Sequence, residues 1–382
     1  MPSSFGSALR VSVFGQSHSE AIGCVVEGLP SGLVVDREAL GRFMARRAPG
    51  QGPWATPRRE EDLPRFVSGL NSDGATCGAP LALVIENANT RSGDYDELRR
   101  VPRPGHADLP AQLKWHGSQD VPGGGHFSGR LTAPLCAAGG IALQALATRG
   151  VRVAAHLAEV AGVADEPFDA LDNSPEARSR LQAQMDRLAG KRGLPSLDAA
   201  AEAEMLAAID SARCGLDSVG GVVECVATGL PAGIGSPMFD GIENAVARAV
   251  FGIPAVKGVE FGRGFGAARL RGSQDNDPYR LEGGRPVPST NNAGGALGGL
   301  STGAALLFRL AVKPTSSIGL CQDSVDLVAG VPARLSVRGR HDPCIAPRAV
   351  PVAEAVCALA LLDSWLAFPP EGGQFSLGEG RG

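Results

Sequence analysis

Four of the six histidines stand beside glycine, proline or small polar residues, where a side chain can turn toward a cleft. The phrases are Gly15-Gln-Ser-His18-Ser19, Arg103-Pro-Gly-His106-Ala-Asp108, Gly123-Gly-Gly-His126-Phe-Ser-Gly-Arg130 and Arg338-Gly-Arg-His341-Asp-Pro343. Histidine takes or gives a proton near neutral pH with little help from its surroundings. A lone loop histidine is usually a solvated side chain; recurrence in glycine-containing loops points to convergence on one place. His116 and His156 have no such setting and read as structural. Arg103, Arg130 and Arg340 each lie within four residues of a loop histidine. Guanidinium groups grip phosphate and carboxylate in a bidentate way, so such a set suits a substrate with several negative charges. A second arginine cluster, at 42, 46, 47, 58 and 59, fits the same chemistry or a solvated face.

Two further phrases could hold an anion. The run Gly123–Gly125 precedes Ser128, a good N-cap, and then a small, apolar helical stretch. Bare amides at a helix start attract anions, although a glycine run also marks a plain turn. Lys313-Pro-Thr-Ser-Ser317 offers one cation and three hydroxyls after a strand over 304–312. It suits phosphate or the polar edge of a ring, and an ordinary turn would read the same way.

These loops need a scaffold, and the chain repeats itself. Cys24-Val-Val-Glu-Gly-Leu-Pro-Ser-Gly32 returns as Cys225-Val-Ala-Thr-Gly-Leu-Pro-Ala-Gly233, and each copy is followed by a helical stretch, 37–47 and 240–251. A weaker echo pairs Thr76–Ile85 with Ser301–Leu310. The repetition predicts two related halves, about 7–150 and 215–365, packed as one unit of residues 1–368. Between them, 128–148 fits a buried helix, and 165–212 reads as a helical excursion broken at Gly193-Leu-Pro195. The Gly-, Pro- and Glu-rich stretch 369–382 reads as a loose, flexible tail.

Composition narrows the class. The 382 residues are 43% hydrophobic and 20% charged, with 52 glycines, 28 prolines and a net charge of −4. That balance lacks the basic footprint of a nucleic-acid binder. No uninterrupted apolar run approaches the roughly 18 residues of a membrane span, and the N-terminus lacks the features of a signal peptide. The eight cysteines are dispersed, with no CxxC and no metal-ligand spacing, and read as reduced thiols of a cytoplasmic protein with no metal site.

Several of these phrases resemble one family. Phe14-Gly-Gln-Ser-His18, Gly123-Gly-Gly-His-Phe-Ser-Gly-Arg-Leu-Thr132 and Gly339-Arg-His-Asp-Pro-Cys344 are similar to three signature regions of chorismate synthases. Arg103–Asp108, Ala255-Val-Lys-Gly-Val-Glu260, Arg271–Gln274, Asn292–Gly295 and Lys313–Ser317 also match, in the family's order, over about residues 7–365.

The resemblance implies an α+β sandwich of outer β-sheets around helices, with an internal pseudo-two-fold repeat, assembled as a homotetramer. It implies a lyase that removes phosphate and a ring proton from 5-enolpyruvylshikimate 3-phosphate by 1,4-anti elimination. Reduced FMN is required without net redox change, and NADPH enters only as a source of electrons. By motif, His18 and His106 are the acid–base histidines, with His18 toward the leaving phosphate and His106 toward the flavin, and Asp342 assists proton removal. FMN lies against His126, Phe127, Ser128, Ala255, Gly298, Lys313, Pro314, Thr315, Ser316, Ser317 and Arg340. Arg47 matches a position linked to NADPH, and Ser17, Arg46, Arg103 and Arg130 hold the substrate's anionic groups.

The chain departs from the family pattern at Gln16, Ser19, Pro53 and Pro254. Pro53 stands where a basic residue is common, which bears on nicotinamide binding more than on catalysis. With only a short helix and the tail expected after the last motif, flavin reduction is assigned to a separate reductase. Two other readings are a paralogue that binds flavin or phosphate without turnover, and an arginine-rich binding module without flavin affinity.

Overall fold

The structure is a computed structural model and describes residues 3–50, 52, 54–55, 62–87, 97–337 and 342–377. Its first half runs β1 (Ser4–Phe5), β2 (Arg10–Gly15), β3 (Ala21–Glu27), α1 (Arg37–Arg47), β4 (Arg65–Ser68), β5 (Leu81–Glu86), α2 (Asp108–Trp115) and α3 (Thr132–Ala147). Next come β6 (Arg152–Val160), β7 (Val163–Ala164), α4 (Pro175–Gly190), α5 (Ala199–Cys214), β8 (Gly221–Thr228), α6 (Ile242–Val250) and β9 (Val256–Phe261). A short α7 (Gly272–Asp275) leads to the small hairpins β10 (Tyr279–Glu282) with β11 (Arg285–Pro288) and β12 (Ala296–Leu297) with β13 (Leu300–Ser301). The chain closes with β14 (Leu306–Val312), the hairpin β15 (Gln322–Asp326) and β16 (Val331–Leu335), and α8 (Ala346–Ala367).

Two antiparallel five-stranded sheets result, ordered β1-β2-β3-β5-β4 and β7-β6-β8-β14-β9. An antiparallel strand pair, helix, outer strand, inner strand and helix follow in the same sequence in both. β3 corresponds to β8, α1 to α6, β4 to β9, β5 to β14 and α3 to α8. The stronger echo lies in β3 and β8, and the weaker one runs into β5 and β14. The fold is α+β with an internal repeat. The second half, however, begins at β6: that strand pairs with β8, His156 opposite Glu224, so it precedes the helical excursion instead of following it near residue 215.

Period-two alternation puts Ile22, Cys24 and Val26 of β3 on the face turned to the helices, all buried. α3 packs on β2, β3 and β5, while α8 packs on β6 and β8, with α1 and α6 beside them. The two central helices approach closely at Gly139, where a Cβ would lie 2.4 Å from that of Ala355. A helix with neighbours on every side must be apolar all round. Hence the stretches Gly129–Ala147 and Ala346–Ala367 are long and apolar enough to cross a membrane, yet they are 78% and 94% buried within this protein. The segment after the last motif is therefore not a short helix but a 22-residue core helix. Its Asp363 accepts from the amides of Ser7, Ala8 and Leu9 at 3.0, 2.8 and 2.8 Å, tying the N-terminal strands to the core.

The excursion forms α4 and α5, capped by Ser174 and Asp198. Of the expected tail 369–382, residues 378–382 lie outside the described residues, and the first part turns back onto α8. Trp365 Nε1 donates to the Gly373 carbonyl at 2.8 Å, and Phe375 stacks edge-on against Trp365 at 5.1 Å. All eight cysteines are free thiols, and burial pushes Cys24 and Cys136 up to about 12, which keeps them protonated and inert.

Candidate active site

Strand ends and helix starts from both halves meet around a cavity of about 520 Å³. Ser17 comes from the loop after β2; Arg103, Gly105 and His106 come from the loop before α2. Gly123, Phe127, Ser128 and Arg130 come from the approach to α3. The second half supplies Pro254, Ala255 and Lys257 at β9, Lys313–Ser317 after β14, and Asp342 and Arg348 at the start of α8. Five basic side chains (Arg103, Arg130, Lys257, Lys313 and Arg348) thus line the space with the carboxylate of Asp342. Field from same-sign charge in a walled cleft concentrates anionic ligands.

The glycine run makes the loops fit. Ser17 N donates to the Gly125 carbonyl at 3.0 Å, and Ser128 Oγ donates to Ser17 Oγ at 3.2 Å. Gly123 and Gly124 have φ of +62° and +85°, where side chains other than glycine's are strained. A Cβ on Gly123 would stand 2.7 Å from His18 Nε2, and one on Gly124 would stand 3.3 Å from His106 Nε2. The run therefore lies against both histidines. His18 is half-buried beside Ser17, while His106 lines the cavity itself.

Arg103 and His106 share one carboxylate. Asp108 Oδ2 accepts from Arg103 Nε at 2.7 Å, and its Oδ1 lies 2.8 Å from Arg103 Nη2 and 2.6 Å from His106 Nδ1. Arg103 Nη1 reaches across to Ser317 Oγ at 3.0 Å. Burial alone would raise the Asp108 carboxyl, but hydrogen bonds from Arg103 and His106 outweigh it and hold it well below the usual carboxylate range.

Asp342 is paired with Arg348 Nη1 at 2.6 Å, and its carbonyl accepts from Thr315 Oγ1 at 3.0 Å. Lys313 Nζ and Ser316 Oγ both donate to the Gly105 carbonyl, at 2.8 and 2.7 Å, which clasps the two halves together over the cavity. Burial and then the like charge of Lys257 push Lys313 below its usual range. Ala255, with φ +73°, is a non-glycine residue in the left-handed region, a strain that recurs at binding sites.

Other residues expected at the site stand apart. Arg47 is 1% exposed and does not line the cavity; it pairs with Asp62 and donates to Thr132 Oγ1 at 3.2 Å. Asp62 also pairs with Arg130, and both cations pull its carboxyl down against the opposing effect of burial. Arg46 turns to Glu354, at 2.6 and 2.8 Å, on a neighbouring hollow. His126 turns its ring away, with Nδ1 on the Gly15 carbonyl at 2.7 Å and Nε2 on Ser3 Oγ at 2.6 Å. It lines an apolar groove with Phe5, Val11 and Leu131 instead. Gly298 is an exposed turn residue between β12 and β13 and does not line the cavity. Arg340, His341 and Pro53 lie outside the described residues.

Asp108, Lys257, Arg348 and Asp62 are site residues that the reading of the sequence left without roles. Asp108 and Lys257 sat inside quoted motifs, so the signal was present; the partner that gives each a role lies in space.

The lining has the donor set that a flavin mononucleotide's phosphate and an anionic substrate call for. Lys313, which keeps one of its three N–H donors beyond Gly105 and Ser316, and the Ser317 hydroxyl, which accepts from Arg103 and has its own proton to give, are donors suited to a phosphate, with Thr315 and Ser316 bracing the turn. Phe127 gives an aromatic wall, backed by Trp115 at 5.8 Å between ring centroids.

Comparison with known proteins finds similarity over most of the chain. A family model described as chorismate synthase matches residues 9–366. The chorismate synthase of Lancefieldella parvula is 51% identical over 97% of this chain and 98% of its own length. That of Korarchaeum cryptofilum is 43% identical over 94% of this chain and 96% of its own. A crystal structure of chorismate synthase superposes with a TM-score of 0.72 at 26% identity, covering 97% of this chain and 94% of that one.

Proposed function

This chain belongs to the chorismate synthase family, and from that premise we propose how its own residues divide the reaction. The activity is a carbon–oxygen lyase step of the shikimate pathway, in aromatic amino-acid biosynthesis. Phosphate leaves 5-enolpyruvylshikimate 3-phosphate with a ring proton in a 1,4-anti elimination that yields chorismate. Enzymes of the family use reduced flavin, which lends electron density to the substrate ring without net oxidation.

The observation that carries the assignment of roles is the cation-lined cavity shared by Ser17, His106, Arg103, Arg130 and Asp342. Arg103 and Arg130 bind the substrate's phosphate and carboxylates, joined by Ser17. Preorganised donors of this kind stabilise charge as it develops on a leaving group. His18 gives a proton or a hydrogen bond to the departing phosphate, and His106 holds a proton at the cofactor side. Asp342, paired with Arg348 at 2.6 Å, helps take the ring proton away. Reduced FMN is held by Lys313–Ser317, Ala255, Phe127 and Ser128.

Reduction of the flavin is the work of a separate reductase. Arg47, the position matched to NADPH, is occupied by Asp62 in the interior, which supports an external source of electrons. The working form is a homotetramer in the cytoplasm. Met238 and Phe239 are 73% and 82% exposed and adjoin the turn that carries exposed Leu297, an apolar surface that a second copy would cover.

Anaerobic turnover with photoreduced FMN tests the activity. Chorismate should form with no NADPH present, and His18→Ala and His106→Ala should each bind FMN while turning over far more slowly. Absence of chorismate from the unaltered protein would overturn the reading.

A further inference from the structure

Asp108 does not line the cavity, yet it touches two residues that do. It occupies the first turn of α2, and its side chain is 9% exposed. It accepts from the Arg103 backbone amide at 3.0 Å, from the guanidinium twice, and from His106 Nδ1 at 2.6 Å. A carboxylate removed from water is stable only when its oxygens are satisfied in this way.

The imidazole nitrogen has two neighbours with opposite demands. Arg103 Nη2, at 3.0 Å, can only donate, and the Asp108 carboxylate can only accept. Nδ1 cannot serve both. The carboxylate is nearer and charged, so Nδ1 carries hydrogen and donates it, and the guanidinium is an electrostatic neighbour. That leaves Nε2 as the nitrogen that exchanges a proton. It lies against Gly124, whose missing side chain leaves it room.

We infer that Asp108 is a positioning residue for the elimination: it holds His106 as the Nδ1–H tautomer, turns Nε2 to the reacting space, and fixes the Arg103 guanidinium with the same two oxygens. This rests on the acid–base role of His106 proposed above. One carboxylate thereby couples the proton-handling ring to the anion-binding cation, and its charge persists near neutral pH because it is held so far below the usual carboxylate range.

Nitrogen-15 spectra of the histidine-labelled protein, with His106→Ala to assign the signal, read the tautomer directly. The Nδ1–H form should dominate for neutral His106, and Asp108→Asn should give a mixture with the folded-state spectrum otherwise kept. In turnover, Asp108→Asn should lower kcat by about 10²-fold or more, within the range of acid–base catalysis. It should lower kcat by less than about threefold when His106 is already alanine, since coupled residues are not additive. KM should rise in both backgrounds, because Arg103 is loosened as well.

Wild-type His106 found as the Nε2–H tautomer overturns the inference, and that result does not depend on any Asp108 variant folding. Equal kcat losses in both backgrounds also overturn it, by showing that Asp108 does not act through His106. Near-normal turnover in His106→Ala would instead sink the role of His106 itself, with the tautomer measurement still reporting on Asp108.

Discussion

Among the described residues, the imidazole–carboxylate clusters at His106 and His156 differ in one respect: the first opens on the cavity and the second is sealed in the interior. At the cavity, His106 is 18% exposed, with Nδ1 on Asp108 and Nε2 against bare glycine. In the second sheet, His156 is wholly buried, with Nδ1 2.9 Å from Asp165 and Nε2 3.1 Å from Glu224. The same two acids also accept the amides of Phe168, Leu197 and Asp198, at 2.7, 2.6 and 2.8 Å. That cluster staples the segments flanking α4 and α5 to β6 and β8. Burial alone would push His156 down, but the hydrogen bonds it makes to Asp165 and Glu224 win and hold it above its usual range; with a carboxylate oxygen facing each ring nitrogen, the geometry suits the imidazolium, which has two N–H donors. The lesson is that residue type does not separate a working histidine from a structural one. The number of ring nitrogens already committed, and whether the other one reaches a cavity, does.

The sharpest way to break this contrast is to remove each ring. His106→Ala should cut turnover by about 10²–10⁴-fold with the melting temperature little changed. His156→Leu should do the reverse: it strands two carboxylates in the interior, a loss of roughly 3–5 kcal/mol, while turnover per folded molecule stays near normal. Urea unfolding and turnover on both variants would show it, and a large turnover loss in folded His156→Leu would erase the distinction.

A smaller effect is expected at the glycine beside His106. Gly124→Ala meets a left-handed backbone, costing roughly 1–2 kcal/mol, and its methyl group would sit 3.3 Å from Nε2. Turnover should fall by more than stability does, because the ring or its neighbour Arg103 must shift. Gly150→Ala, equally left-handed but with open space around its Cβ, is the control: similar destabilisation with unaltered turnover.

The mildest test is pH. A histidine whose folded pKa is raised contributes stability that is full below the unfolded value of about 6.5 and is lost as pH rises through the folded value. The stability gap between the wild type and His156→Leu should therefore narrow toward alkaline pH. Asp165, held low by His156 and two amides against the effect of burial, acts in the opposite direction. Its contribution is present above about 3.9 and fades as acid takes the pH through its depressed value. A gap that widens with rising pH would contradict the imidazolium assignment.

Much of the fold was legible because backbone periodicity is local. The helix expected over 37–47 is α1, and the break at Gly193-Leu-Pro195 falls between α4 and α5. The recurring Gly-Leu-Pro phrase marked equivalent strands of the two sheets. The second half's true start at β6 was hidden, because its partner β8 lies beyond the whole helical excursion. The C-terminal helix was underestimated for a related reason: an all-round apolar pattern has no amphipathic edge to mark it as the centre of a core.

The sequence by itself determined the family, the repeat and the set of histidines and arginines available for chemistry. Only the tertiary structure decided which of them meet. His126 and His106 stand in similarly glycine-rich text, yet one ring is spent on Gly15 and Ser3 while the other opens on the cavity. Arg47 and Arg130 read alike as anion-binding arginines, yet Asp62 draws both inward and only Arg130 keeps a face on the cavity. A hydrogen bond depends on distances of a few tenths of an ångström between atoms whose residues are tens to hundreds of positions apart. Those distances follow from how the two sheets and their helices pack, which no local pattern of residues encodes.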